Sequence, residues 1–262
     1  RNHRQNEIRT EVKDMLVRFI HHSCFVVETD SKVLIFDYFE GGRVNGYQFG
    51  GKIPEYDRNT PIYMFASHCH RDHFDMDILR WTEKYPNIKY ILSKDIRISP
   101  NFLKNHGIDP KVRERILFAA PAAEYELDDM KIRTLRSTDA GVAYYVRTDG
   151  TGIYHAGDLN MWVWDGAGDL INGQVKSLYR SQIRKLEGFP IEAAFVPMDP
   201  RLGKNEFLGI DYFMKNTECE HVFPMHMWQD YSGIARYKKR ITNRDMAERI
   251  MDITEENQEF VL

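Results

Sequence analysis

Ser67-His68-Cys69-His70-Arg71-Asp72-His73-Phe74 is the stretch whose reading decides the fold. It follows a short apolar run, Ile62 to Ala66, that reads as a strand. Three of the ten histidines and one carboxylate fall within the six residues 68–73, just after that run. Imidazole is the commonest metal ligand near neutral pH, and carboxylates add the charge a divalent ion requires. On a turn leaving a strand, His68 and His70 can point one way while Asp72 and His73 reach a neighbouring position. The competing reading is a solvated polar turn. Two distant stretches weaken it, because each ends a strand-like run on another potential ligand: Ile153-Tyr154-His155-Ala156-Gly157-Asp158 and Val222-Phe223-Pro224-Met225-His226.

Around this centre, Leu16–Ile20, Cys24–Glu28 and Val33–Phe36 are β-branched or aromatic runs bounded by polar turns. Residues 40–60 read as a long loop or hairpin excursion. Further strands are predicted at 88–93, 115–119, 130–136, 142–147, 151–155, 192–197 and 221–225. Helices are predicted from Asp75 to Tyr85, across 174–187 and 207–217, and after a capping Thr242. Pure βαβ alternation does not fit the N-terminal half. An α/β (α+β) arrangement of two packed mixed sheets with outer helices fits better. No linker interrupts the pattern, so residues 1–262 read as a single domain.

The spacing H-x-H-x-D-H resembles the signature of the metallo-β-lactamase superfamily. Other motifs follow residue by residue: Asp37 after Val33-Leu34-Ile35-Phe36, Gly157-Asp158 after a strand, and the late His226. The early His-Ser-Cys-Phe and the His-Ala-Gly-Asp look most like the ascorbate-phosphate-lactonase-like branch. The resemblance implies an αββα sandwich with metals at one edge. It places His68 and His70 on a first metal, and Asp72, His73 and His226 on a second. Asp158 bridges, and Asp37 orients the histidine turn from behind. One family motif is missing, a histidine between the second and fourth motifs. No histidine occurs from 107 to 154, and Asp139 is the expected substitute.

The resemblance thus implies a hydrolase with a dinuclear centre that uses metal-activated hydroxide on an ester, lactone or phosphodiester. Asp72 and Asp158 hold the hydroxide and accept its proton. Zinc, one or two ions per chain, suits the N/O donor set, and Mn²⁺ is compatible with three carboxylates. Arg201 is the candidate for holding an anionic small-molecule substrate. The rivals are a nuclease of the same superfamily and a metal-binding member without turnover. An iron oxidoreductase is disfavoured because that branch tends to carry Glu where this chain has His70.

Composition narrows the field. With 36 Lys+Arg against 39 Asp+Glu, the net charge of -3 disfavours a nucleic-acid partner. An aromatic content of 13% excludes disorder as the main state. No apolar run reaches the roughly 18 residues of a membrane helix. Cys24, Cys69 and Cys219 form no disulfide framework and point to the cytoplasm. The charged opening RNHRQNEIRTEVKDM lacks the apolar region of a secretory signal. Strand alternation predicts Cys69 buried and inert, and His155 as a packing residue rather than a catalytic acid. His21 and His22 read either way. Trp162, Trp164 and Trp228 are candidate pocket walls, and Arg236–Arg240 reads as a solvated helix face.

Overall fold

The computed structural model describes residues 15–262, so the charged opening segment lies almost entirely outside the described residues. In chain order the elements are β1 (Leu16–His21), β2 (Cys24–Glu28), β3 (Val33–Phe36), β4 (Gly42–Val44), β5 (Tyr47–Phe49), β6 (Ile62–Ala66), β7 (Lys89–Ser93), α1 (Pro100–Asn105), β8 (Ile116–Ala119), β9 (Glu124–Leu127), β10 (Met130–Arg136), β11 (Val142–Thr148), β12 (Thr151–His155), α2 (Asp169–Ile183), β13 (Ile191–Pro197), α3 (Leu208–Asn216), β14 (Cys219–Met225), α4 (Ser232–Lys238), α5 (Arg244–Glu248) and β15 (Gln258–Val261). One sheet runs β15-β1-β2-β3-β6-β7-β8 and the other β14-β13-β12-β11-β10-β9. Both are mixed: β3, β6, β7 and β8 are parallel, as are β12, β13 and β14, and the remaining ladders are antiparallel.

The period of two along the first sheet explains why its strands read as unbroken apolar runs. Phe25, Val27, Leu34, Phe36 and Phe65 face the second sheet. Their neighbours Val26, Ile35, Met64 and Leu92 face outward, where Ile78, Leu79 and Leu103 of the helical segments cover them. Across the interface Phe25 stacks on Phe195, with ring centroids 4.2 Å apart. On the far side of the second sheet Tyr154 stacks on Phe213 of α3, and the Tyr179 hydroxyl of α2 donates to the Gly209 carbonyl at 2.8 Å. The layers are therefore helix, sheet, sheet, helix, as the sequence predicted.

Local expectations needed correction in two places. The helix expected from Asp75 is a 3₁₀ segment, Met76–Thr82, although Asp75 caps it by accepting from the Asp77 amide at 2.9 Å. Asn243, not Thr242, caps the last helix. The excursion at 40–60 contains the β4–β5 hairpin, paired only with itself. Its turn places Asn45 and Gly46 at φ 48° and 89°, the left-handed pair that an Asn-Gly hairpin turn favours.

Candidate metal centre

The proposed ligands collect at the carboxyl ends of the parallel strands and in two adjoining turns, where open α/β sheets place ligands. Asp37 follows β3, the His68–His73 turn follows β6, Asp158 follows β12 and His226 follows β14. The β10–β11 turn adds Asp139. The β1–β2 turn adds His22, whose role the sequence left open.

Two groups result. One ligand atom from each of His68, His70, Asp139 and Asp158 lies within 4.8 Å of the others, and the same holds for His22, Asp72, His73 and His226. Asp158 faces both: Oδ2 is 3.3 Å from His68 Nε2, while Oδ1 is 3.2 Å from His73 Nε2 and 3.4 Å from His226 Nε2. Asp72 Oδ2 lies 3.2 Å from His22 Nε2. Asp139 Oδ2 lies 3.9 Å from His70 Nδ1.

Three of the buried imidazoles, His68, His73 and His226, are oriented from behind. The His73 Nδ1–H donates to Asp37 Oδ2 at 2.7 Å. The Ser67 hydroxyl donates to the same oxygen at 2.6 Å, which leaves Ser67 Oγ to accept from His68 Nδ1 at 2.9 Å. The His226 Nδ1–H donates to Asp199 Oδ2 at 2.9 Å. Hence the Nε2 lone pairs of His68, His73 and His226 all face the site, the tautomer a metal requires. Asp199, two residues before Arg201, is not among the residues the sequence singles out. It also accepts from Trp228 Nε1 at 3.2 Å and binds the Arg201 guanidinium. Arg201 is thus anchored to Asp199, with its guanidinium 4.7 Å above the Trp228 ring and its side chain 43% exposed in the cleft.

Backbone conformation supports a functional reading. His22, Asp37, His226 and Trp228 all have φ between 48° and 60°. Non-glycine residues reach that region at a cost of order 1–3 kcal/mol each, and such strain concentrates at functional sites.

Burial alone would raise the Asp158 carboxyl, but the His73 and His226 imidazoles outweigh it and hold it well below the usual range. Asp72 is lowered the same way, against burial, mainly by His22 and His73. Burial and then His226 push His22 down to about 3, so it is a neutral lone-pair donor. His73 is raised despite its burial, because Asp158 and Asp37 flank it. The donor set fits a divalent cation. Both His22 ring nitrogens, His73 Nε2 and Asp158 Oδ1 are buried without an aligned hydrogen-bond partner, although they crowd one point.

His155 lies apart from this function. It is buried, its Nδ1 accepts from the Gly157 amide at 3.1 Å, and its Nε2 donates to the Ser23 carbonyl at 2.8 Å. His221 bonds the Glu192 carbonyl on its strand and is outside both groups. Cys69 corrects an expectation: it is exposed. The strand ends at Ala66, so alternation does not continue into the turn. In α4, Tyr237 is buried while Lys238 pairs with Asp252, as on a solvated helix face.

A family model described as "Beta-lactamase superfamily domain" matches residues 16–173. The chain belongs to the beta-lactamase superfamily. This superfamily member resembles the solved structure of Igni18, a metallo hydrolase from Ignicoccus hospitalis, at 16% identity and TM-score 0.64, covering 95% of this chain and 98% of that one. It resembles an isothiocyanate hydrolase from Delia radicum gut bacteria at 14% identity and TM-score 0.57, covering 94% and 98%. It also resembles CmlA, a diiron β-hydroxylase from Streptomyces venezuelae, at 10% identity and TM-score 0.53, covering 82% of this chain and 45% of that one. At these identities the likeness is one of fold. No curated protein matches the chain. Among the described residues, no helix is long and apolar enough to cross a membrane.

Because Asp199 fixes the His226 ring, Asp199→Asn is expected to weaken metal binding by about 10–100-fold, the usual effect of losing a carboxylate behind a ligating histidine. Competition with a chromogenic chelator measures it. Unchanged affinity would show that Asp199 does not orient the ligand.

Proposed function

We propose that the chain is a metal-dependent hydrolase with a dinuclear centre, acting on an ester, lactone or phosphodiester bond of an anionic small molecule. The observation that carries this reading is Asp158, whose two oxygens face two separate ligand groups. His68, His70, Asp139 and Asp158 form the first group. Asp72, His73 and His226, with His22 added, form the second. A divalent ion held there would polarise a substrate oxygen and lower the pKa of water from 15.7 toward about 7, so that hydroxide is available at neutral pH. Asp72, partly open to the cleft and held ionised, accepts the proton of the attacking water. Asp158 stays an anion and fixes the distance between the groups. Arg201 meets the negative charge of the substrate.

Mixed imidazole and carboxylate donors suit zinc first and Mn²⁺ second. The early His-Ser-Cys-Phe and the His-Ala-Gly-Asp stretch favour the ascorbate-phosphate-lactonase-like branch. The three free cysteines favour a reducing cytoplasm, and we read residues 1–262 as one hydrolase domain. A cleft of about 660 Å³ beside the ligands has the size of a small-molecule site rather than a nucleic-acid groove.

With bis(4-nitrophenyl) phosphate or an aryl lactone as substrate, chelator is expected to abolish hydrolysis and added Zn²⁺ or Mn²⁺ to restore it. The rate should rise between about pH 6 and about pH 8. Activity that survives full metal removal contradicts the proposal. Asp139→Ala is expected to remove about one metal equivalent per chain, because the first group then keeps only His68, His70 and the shared Asp158. Retention of two equivalents by elemental analysis would exclude Asp139 as a ligand.

A further inference from the structure

The cleft beside the ligands has two unlike parts. One lip carries Arg43, on the β4–β5 hairpin, and Arg71, in the histidine turn. Both are exposed, and among the described residues neither makes an ion pair, a side-chain hydrogen bond or a ring contact. Arg201, its guanidinium 4.7 Å over the Trp228 ring and 6.0 Å over the Trp164 ring, is a third cation in the same cleft, whose anions, Asp72, Asp139 and Asp158, are committed to the ligand groups. The cleft also has an apolar part. It is built from Trp162 and Trp164, whose rings are parallel at 6.4 Å, and from Ile171 and Val175 on α2. Trp164 is 39% exposed and Ile171 55%, in a chain that buries nearly all its other large apolar side chains.

That wall is held in place. Asn172 accepts from the Trp164 amide at 3.2 Å and donates to the Trp164 carbonyl at 3.0 Å, which ties the tryptophan loop to α2. Trp162 Nε1 donates to the Asp158 carbonyl at 2.8 Å, which ties the wall to the ligand turn. An exposed aromatic surface fixed in this way is a contact surface prepared in advance, which lowers the ordering cost of binding. Unpaired guanidinium groups, for their part, recognise carboxylate, sulfonate or phosphate oxygens.

From this juxtaposition we infer that the substrate is an amphipathic anion. Its aryl or branched alkyl group lies on Trp162, Trp164 and Ile171, its anionic group lies at Arg43, Arg71 and Arg201, and the scissile bond lies between them. The inference rests on the hydrolase reading. It adds that Arg43 of the hairpin, Arg71 of the histidine turn and the first turn of α2 set specificity. The step itself is simple hydrolysis: water's oxygen bonds to the acyl or phosphoryl atom, the bond to the leaving oxygen breaks, and that oxygen takes a proton.

Direct binding to the metal-loaded protein tests this without requiring turnover. The probes are naphthalene-2-sulfonate, its neutral analogue 2-naphthylmethanol and its anion without an apolar group, methanesulfonate, followed by calorimetry. Naphthalene-2-sulfonate is expected to bind at least about tenfold more tightly than either control. Arg43→Gln and Arg71→Gln should each weaken only the two sulfonates. Ile171→Asn, which removes the apolar surface without adding charge, should weaken only the two naphthyl compounds. These positions are exposed, so all three variants should melt like the wild type. Equal binding of the three probes, or variants that leave the Kd values unchanged, would overturn the inference while leaving metal-dependent turnover intact. Chelator-resistant turnover would instead count against the hydrolase reading alone. Adsorption to phosphatidylglycerol vesicles without binding of naphthalene-2-sulfonate would also overturn it, in favour of a membrane-facing patch.

Discussion

Asp158→Ala is expected to strip metal from both ligand groups and to lower kcat/KM by more than the 10–100-fold that follows loss of an outer partner. The reason is geometric. One carboxylate supplies an oxygen to each group, 3.3 Å from His68 and 3.2 Å from His73. Its removal also takes one anion from the donors, leaving Asp72 near His22, His73 and His226 and Asp139 near His70, so that less negative charge offsets that of the cation. His73→Ala should affect chiefly the second group. His155→Ala should affect neither directly, because both its ring nitrogens are engaged with backbone. Elemental analysis with steady-state kinetics separates the three variants. Equal losses in His73→Ala and His155→Ala would mean that His155 acts at the site.

Gly141→Ala is expected to destabilise the protein by about 3 kcal/mol or more and to weaken metal binding at the same time. A Cβ at Gly141 would sit 1.9 Å from the Ser67 carbonyl oxygen and 2.6 Å from His68 Cβ. Neither neighbour can yield easily. The Ser67 carbonyl accepts from the Val142 amide at 2.9 Å, the Ser67 amide donates to Asp37 Oδ1 at 2.7 Å, and His68 is a candidate ligand. The chain must therefore move the histidine turn or the β10–β11 turn, and either shift displaces ligands of the first group. Gly150→Ala is the control. Its φ of +79° is equally left-handed, yet a Cβ there meets nothing within 4 Å. It should lose only the conformational preference, about 1 kcal/mol. Thermal melting compares the pair. Similar shifts would show that φ, and not the close approach, sets the cost.

The parts of the site legible in the sequence were those written in local spacing. His68, His70, Asp72 and His73 share one turn, and Asp158 and His226 each end an apolar run, so strand patterning located them. His22 carries no such cue. It is one of an adjacent histidine pair in a two-residue turn, and it reaches the site only because β1 and β2 lie beside β3 in the sheet. Its neighbour His21 bonds the Phe39 carbonyl instead, and nothing in the pair's spelling distinguishes the two. Asp199 was hidden for a related reason: its partner His226 is far along the chain, and parallel pairing of β13 with β14 brings them together. The positive φ values of His22, Asp37 and His226 are likewise unreadable, since no glycine marks them. Among the strands, β9 and β15 escaped notice because both lie at sheet edges and alternate half-buried with exposed residues. Strands such as β2, β3 and β6 were read correctly because burial on both faces made them almost uniformly apolar.

The most direct test of the two-group centre is anomalous scattering from crystals of the zinc-loaded protein, recorded on both sides of the zinc absorption edge. The account predicts two peaks, one among His68, His70, Asp139 and Asp158 and one among His22, Asp72, His73 and His226, with Asp158 touching both. Absence of anomalous density from this cleft in protein that carries zinc would contradict it.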